Sequence, residues 1–74
     1  MSEWTRTTGL ATVVFDFEAG GKYQMALEVG ETVQLVKETT DWYKGVKVVG
    51  GDEGIFPKNY VEVLPEEETA PQGA

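Results

Sequence analysis

Two groups of residues in this chain have types and spacing fit for chemistry: a pair of carboxylates and a set of aromatic rings. Asp16 and Glu18 stand two apart, which on a strand puts both on one face. Such a pair does acid–base work when a cleft raises the pKa of one member, and a chain of 74 residues offers little room for one. The chain has no histidine and no cysteine. The commonest general base and the commonest metal ligand are therefore missing, as are a disulfide framework and a Cys-based metal site. No catalysis, cofactor or metal is expected. The rings are Phe15, Phe17, Trp42 and Tyr60, with Pro57 and Asn59 beside the last of them. Flat rings set as parallel ridges make slots for apolar ligands, while an indole N–H or phenol O–H bonds a ligand carbonyl. With Asp41, the same rings would make a cage for methylated lysine. A third reading is that they simply fill the core.

The elements that must hold these residues read as β. Leu10 to Phe15 is rich in β-branched and apolar residues, which predicts a strand. Thr32 to Lys37 alternates, with Val33 and Leu35 on one face, and Trp42 to Val48 is a third strand. Gly50 and Gly51 supply a tight turn, because glycine tolerates positive φ at both central positions. Glu53 to Phe56 returns, Pro57 ends the ladder for want of an N–H, and Lys58 to Tyr60 suits one 3₁₀ turn. Val61 to Leu64 is a short last strand. Asp16 to Glu31 is too long for a hairpin turn, and Met25, Leu27 and Val29 alternate on its return. It reads as a folded-over loop that still feeds the core, and long ordered loops are commonly functional. No window holds a helical period. The predicted core is Val13, Met25, Leu27, Val33, Leu35, Val46, Phe56 and Val61, with Ala11 and Gly45 allowing close packing. Alternation puts Val13, Phe15 and Phe17 on one face. That face cannot be wholly core and wholly surface, so a kink is required near the Asp16–Phe17 step.

Length and charge set the bounds. The chain has room for one domain; Met1 to Gly9 reads as a flank, polar apart from Trp4, and residues 65–74 as an acidic disordered tail or linker. The formal net charge is -7, from 13 acids against 6 bases. Nucleic acid and anionic membrane surfaces are bound by cations, so both are disfavoured as partners. No apolar run approaches the ~18 residues of a membrane span. A cytoplasmic monomer is expected.

Four segments carry a resemblance. VVFDF (Val13 to Phe17), LEVGE (Leu27 to Glu31), DWYKG (Asp41 to Gly45) and GIFPKNYV (Gly54 to Val61) resemble, in order and spacing, the motifs of SH3 domains. The resemblance covers roughly residues 10–64. It implies an all-β, five-stranded, partly orthogonal barrel with a long RT loop (Asp16 to Glu31). It implies a non-catalytic interaction module, an adaptor or regulatory domain in signalling or cytoskeletal proteins, that binds proline-rich segments. A polyproline II ligand is already extended and loses little entropy on binding. By position, Phe15, Phe17, Trp42, Pro57 and Tyr60 form the ring shelf, and Asn59 donates to the peptide backbone. Phe15 and Tyr60 wall the outer proline slot; Phe17, Trp42, Pro57 and Tyr60 wall the next.

The chain departs from the family in two ways. Phe15 and Phe17 stand where tyrosines are usual, removing hydroxyl donors worth ~1 kcal/mol each where a bond was made. The RT-loop acid that pairs with a ligand's Arg or Lys is replaced by Gln24. Glu18, Glu38 and Asp41 remain as specificity-pocket partners beside Gln24, with Glu38 and Asp41, in the loop before Trp42, favoured. The expected affinity is about 10–100 μM, with a weaker demand for a basic residue. WYKG, GIFP, Gln24 and the Trp4 to Thr7 lead are also similar to the N-terminal SH3 domain of Dock-type Rac exchange factors, though Arg6 replaces a proline usual in that lead. In that family the domain binds a proline-rich helical scaffold of the ELMO type and restrains its own chain. The missing acid makes an intramolecular or helical-partner role the alternative reading.

Overall fold

Core residues at every second position, split by glycine-bearing turns, give the described residues strands and no α-helix. The computed structural model describes residues 3–65. The strands are β1 (Thr5–Arg6), β2 (Leu10–Val13), β3 (Thr32–Glu38), β4 (Trp42–Lys47), β5 (Glu53–Pro57) and β6 (Val61–Val63), with a 3₁₀ turn at Lys58–Tyr60. All pairings between these strands are antiparallel, while an isolated bridge from Gln24 to Ile55 is parallel. The sheet runs β5-β4-β3-β2-β6, with β1 also on β3, and curls into a small barrel. The all-β expectation holds, with one strand more than predicted. Of the tail predicted at residues 65–74, residues 66–74 lie outside the described residues.

The core forms where inward positions from the strands and the RT loop meet. Ala11, Val13, Met25, Leu27, Val33, Leu35, Phe56 and Val61 are buried, and no polar or charged residue among those described is buried with them. Val46 was expected inside but is half-buried. It pairs with Gln34 and Glu53, both exposed, so it lies on the outer face. Gly45 takes the inward position instead: a Cβ there would meet the Gln34 carbonyl at 2.8 Å and the Phe56 ring at 3.3 Å. Gly54 is tighter still, because a Cβ would stand 2.6 Å from that of Met25. Gly45 thus lets the sheet close on the Phe56 ring, and Gly54 lets the RT loop close on the sheet at Met25 and Tyr23.

The local turns follow the sequence. Gly50 and Gly51 have φ of 97° and 81°, as their turn requires. The acidic residue closing the RT loop does structural work: Glu31 accepts from the Glu28 N–H at 2.8 Å and pairs with Lys47 at 3.1 Å. Burial by itself would raise the Glu31 carboxyl, but the Glu28 N–H and the Lys47 ammonium hold it below the ordinary value.

Two features were not expected. β1 lies in the presumed flank and extends the β2 edge along β3, pairing Thr5 with Glu38 and Arg6 with Lys37. A bulge interrupts β3 between Leu35 and Lys37, so that Leu35 faces Gly45 while Lys37 faces Lys44. A bulge re-aims the side chains that follow it. Strict alternation after Val33 and Leu35 would turn Lys37 inward; the extra residue places it outside.

Candidate functional site

The kink demanded by the alternation of Val13, Phe15 and Phe17 is present, but it comes at Val14–Phe15, earlier than the Asp16–Phe17 step where it was expected. β2 ends at Val13, two residues short of the predicted end. The Val14 and Phe15 N–H groups then both donate to the Tyr60 carbonyl, at 2.9 and 3.3 Å. The chain bends at this point, and its next bridge is Phe17 to Leu27. Val13 is therefore buried while Phe15 is 61% exposed. Asp16 is drawn into the bend, its Oδ1 accepting from the Val29 N–H at 2.9 Å.

The bend sets three rings side by side. Phe15 and Tyr60 meet edge to face, with centroids 6.2 Å apart and planes at 81°. Phe17 and Tyr60 meet at 5.2 Å and 65°. Edge-to-face contacts of this kind match the aromatic quadrupoles. Phe17 and Tyr60 also pack down on the core, which fixes the two inner rings, while Phe15 stands outside the core and rests against Tyr60.

The second half of the site is built on β4 and β5. Trp42 pairs with Pro57 across the two strands, and both line a shallow cavity with Thr40, Asp41, Lys58 and Asn59. The neighbouring Tyr43 ring turns the other way, onto Phe56 at 6.1 Å. The turn before Trp42 is tied at three points. Thr39 Oγ1 accepts from the Trp42 N–H at 3.1 Å, the Trp42 carbonyl from the Thr39 N–H at 2.8 Å, and the Asp41 carbonyl from the Lys58 N–H at 2.9 Å. The 3₁₀ turn at Lys58–Tyr60 directly follows Pro57 and joins this cluster to the Tyr60 ring.

Of the four residues expected to form a specificity pocket, the structure brings Glu38 and Asp41 together and places Gln24 in another cavity. Glu38 and Asp41 line a second cavity beside Trp42, of about 840 Å³. Glu38 is already committed there: Lys58 Nζ donates to its Oε1 at 2.8 Å and lies 4.9 Å from the centre of the Tyr43 ring. The bond to Glu38 outweighs partial burial and raises the Lys58 pKa above the ordinary lysine value. Gln24 is elsewhere. Its Oε1 accepts from the Gly20 N–H at 2.6 Å, and it lines a cavity with Trp4, Tyr23 and Ile55 that has no lining residue in common with those beside Trp42. Glu18 is exposed. Lys58 and Thr39 were not singled out from the sequence. A Ser or Thr three residues before a strand-opening Trp is a turn signal, but the Lys58–Glu38 contact depends on tertiary placement and leaves no local mark. Among the described residues, no acidic side chains gather in a group able to hold a metal ion.

The comparisons agree with this architecture. The family described as "Variant SH3 domain" matches residues 10–64. The chain is 42% identical over 59 residues to vinexin of Mus musculus, covering 78% of this chain and 8% of vinexin. It is 35% identical over 63 residues to dedicator of cytokinesis protein 3 of Homo sapiens, covering 81% of this chain and 3% of that protein. It thus spans less than a tenth of either relative. Among solved structures, the SH3 domain of yeast Pin3 superposes with a TM-score of 0.69 at 32% identity, over 76% of this chain and 98% of that one. The C-terminal SH3 domain of myosin IB from Entamoeba histolytica, bound to a peptide, gives 0.72 at 21% identity, over 82% of this chain and all of that one. On the matched motif region, the shared barrel and these relatives, the chain belongs to the SH3 domain family.

Proposed function

We propose that this SH3 domain is a non-catalytic interaction module that binds proline-rich segments in the polyproline II conformation. The groove is made by Phe15, Phe17, Trp42, Pro57 and Tyr60, with Asn59 donating to the peptide backbone. The observation that carries this reading is the outward aromatic row, in which Phe15, 61% exposed, stands edge to face with Tyr60. Exposed rings held rigidly by their neighbours offer apolar area without an ordering cost. The myosin IB domain of the same fold was crystallised with a peptide, and a ligand of that class fits a groove of ridges better than a cage. Residues 10–64 are the binding unit, acting as a cytoplasmic monomer within a longer signalling or cytoskeletal protein.

The test is a titration with a P-x-x-P peptide, followed by NMR at the Trp42 indole N–H. Saturable shifts at Trp42, Phe15 and Tyr60 are expected. Trp42→Ala should abolish them and leave the barrel folded; retained affinity would place the groove elsewhere.

A second reading has its own support. Gln24 replaces the usual RT-loop acid, and its carboxamide is used by Gly20. Glu38 is held by Lys58, so a basic ligand residue finds only Asp41 and Glu18 free of those contacts. Similarity to dedicator of cytokinesis protein 3 over 63 residues fits a Dock-type role, with the domain engaging a helical scaffold or its own chain. No response of Trp42 at millimolar peptide would favour this reading.

A further inference from the structure

The face of the sheet beyond the aromatic groove carries a line of cations of which only Lys44 has an ion pair, a loose one to Glu53, among the described residues. Arg6 of β1 pairs with Lys37 of β3, and Lys37 pairs with Lys44 of β4. Directly opposed residues share a face, and like charges so placed are destabilising. Three of the chain's 6 basic residues thus stand in one row across three strands, in a protein of net charge -7. The row exists only because the bulge after Leu35 turns Lys37 outward. An unfavourable local arrangement of this kind is expected where a site has a use for it.

The row borders a cleft of about 530 Å³, walled by Trp4, Tyr23 and Ile55 and rimmed by three lysines, Lys22, Lys37 and Lys44, against one acid, Glu53. Trp4 is 40% exposed and Tyr23 71%. Three ion pairs occur among the described residues, and they engage Lys44, Lys47 and Lys58. Lys22 and Lys37 have none, and both are on this rim. Lys44 is only loosely held, 3.6 Å from Glu53 with both side chains well exposed. The cleft shares no lining residue with the cavities beside Trp42.

We propose that the Trp4–Tyr23–Ile55 cleft, with its lysine rim and the Arg6–Lys37–Lys44 row, is a second docking face for an acidic segment of a partner protein. One apolar side chain of that segment enters the cleft, and its carboxylates lie along the row. Charge complementarity selects the occupant. A protein segment fits better than nucleic acid, because a regular polyanion would extend past the patch onto an acidic surface. This face is independent of the proline-binding groove, so either assignment can fail alone.

The experiment is a heteronuclear NMR titration of the full chain at low salt with a short polyglutamate peptide carrying one central leucine. Saturable shifts are expected at the Trp4 indole N–H, Tyr23, Lys37 and Ile55, with the Trp42 indole N–H unmoved. Lys37→Gln should weaken binding about fivefold and leave P-x-x-P binding unchanged. It should not lower the thermal midpoint, since it relieves two like-charge contacts; a merely structural lysine would lower it. Trp4→Ala should remove the leucine-dependent part of the affinity. The proposal is overturned by shifts centred on Trp42 and Tyr60, or by equal shifts at Lys47 and Lys58. Tighter binding of a short single-stranded oligonucleotide would likewise overturn it. So would movement of the Trp4 and Ile55 signals when E66Q, E67Q and E68Q are introduced together, which would make the chain's own acidic stretch the occupant.

Discussion

Replacing Lys58 by methionine should weaken the fold and strengthen the binding of basic ligands together. The lysine donates to Glu38 at 2.8 Å, with side chains 31% and 35% exposed. A partly exposed pair of this kind is worth roughly 0.2–1 kcal/mol. The ammonium also lies 4.9 Å from the centre of the Tyr43 ring, a contact worth about 0.5–1 kcal/mol. Methionine keeps the packing of the stem, so the net loss should be about 1 kcal/mol, or about 4–8 °C in the melting midpoint of so small a domain. The same change frees the Glu38 carboxylate beside Trp42. A P-x-x-P peptide flanked by arginine should then bind about two- to fivefold tighter, while one flanked by alanine should not change. Isothermal titration of both peptides against wild type, Lys58→Met and Glu38→Gln separates the effects. Glu38→Gln should lose stability without gaining affinity. If Lys58→Met shifts both peptides equally, or neither, Glu38 takes no part in ligand choice and the pair is structural only.

Three further outcomes follow from the geometry. Gly54→Ala puts a Cβ 2.6 Å from that of Met25 and 3.1 Å from the Tyr23 carbonyl; overpacking of this degree should cost about 1–3 kcal/mol, read as a lowered urea midpoint with the RT-loop amide signals displaced. Thr39→Val removes the hydroxyl that accepts from the Trp42 N–H at 3.1 Å and should cost about 0.5–1.5 kcal/mol, with faster amide hydrogen exchange at Trp42. The lowered Glu31 pKa means that its contribution is present above the unfolded carboxylate value and is lost as pH falls through the lower folded value. Glu31→Gln should therefore flatten the acid limb of the stability profile below about pH 4.5 and leave the alkaline limb as it was.

What the sequence disclosed depended on whether a feature is local. The Gly50–Gly51 turn, the Lys58–Tyr60 3₁₀ turn and the strand from Thr32 are set by φ preferences, the missing proline N–H and a period of two, and these act over a few residues. β1 escaped because Thr5 and Arg6 have no period of their own; they become a strand only by pairing with Lys37 and Glu38. The β3 bulge escaped for the same reason. Its presence turns on how Lys37 meets Lys44 across the ladder, and no residue type in Leu35 to Lys37 announces it. Val46 was misplaced because the inward position beside it belongs to Gly45, where a Cβ would meet the Phe56 ring at 3.3 Å, and alternation then puts Val46 outside.

The site divides along the same line. Its ring types and their order could be read from the motifs, and so could the need for a kink, though alternation put it near Asp16–Phe17 and the chain bends earlier, at Val14–Phe15. The disposition of its charges could not, because Gln24 turns to Gly20 and Glu38 to Lys58 through contacts that only the folded chain creates. The kink explains why rings and core coexist on one strand face. The two N–H groups that would continue β2 are satisfied by a single carbonyl, that of Tyr60, so the chain turns without leaving a buried donor unpaired. The hinge is thus a backbone contact, while the ligand-facing surface is made of side chains. Substitutions at Phe15 or Trp42 that alter the surface leave the hinge untouched, whereas displacement of the Tyr60 backbone would disturb core and groove at once. Lesions in the Lys58–Tyr60 turn should for that reason couple stability to affinity, and lesions in the outward rings should not.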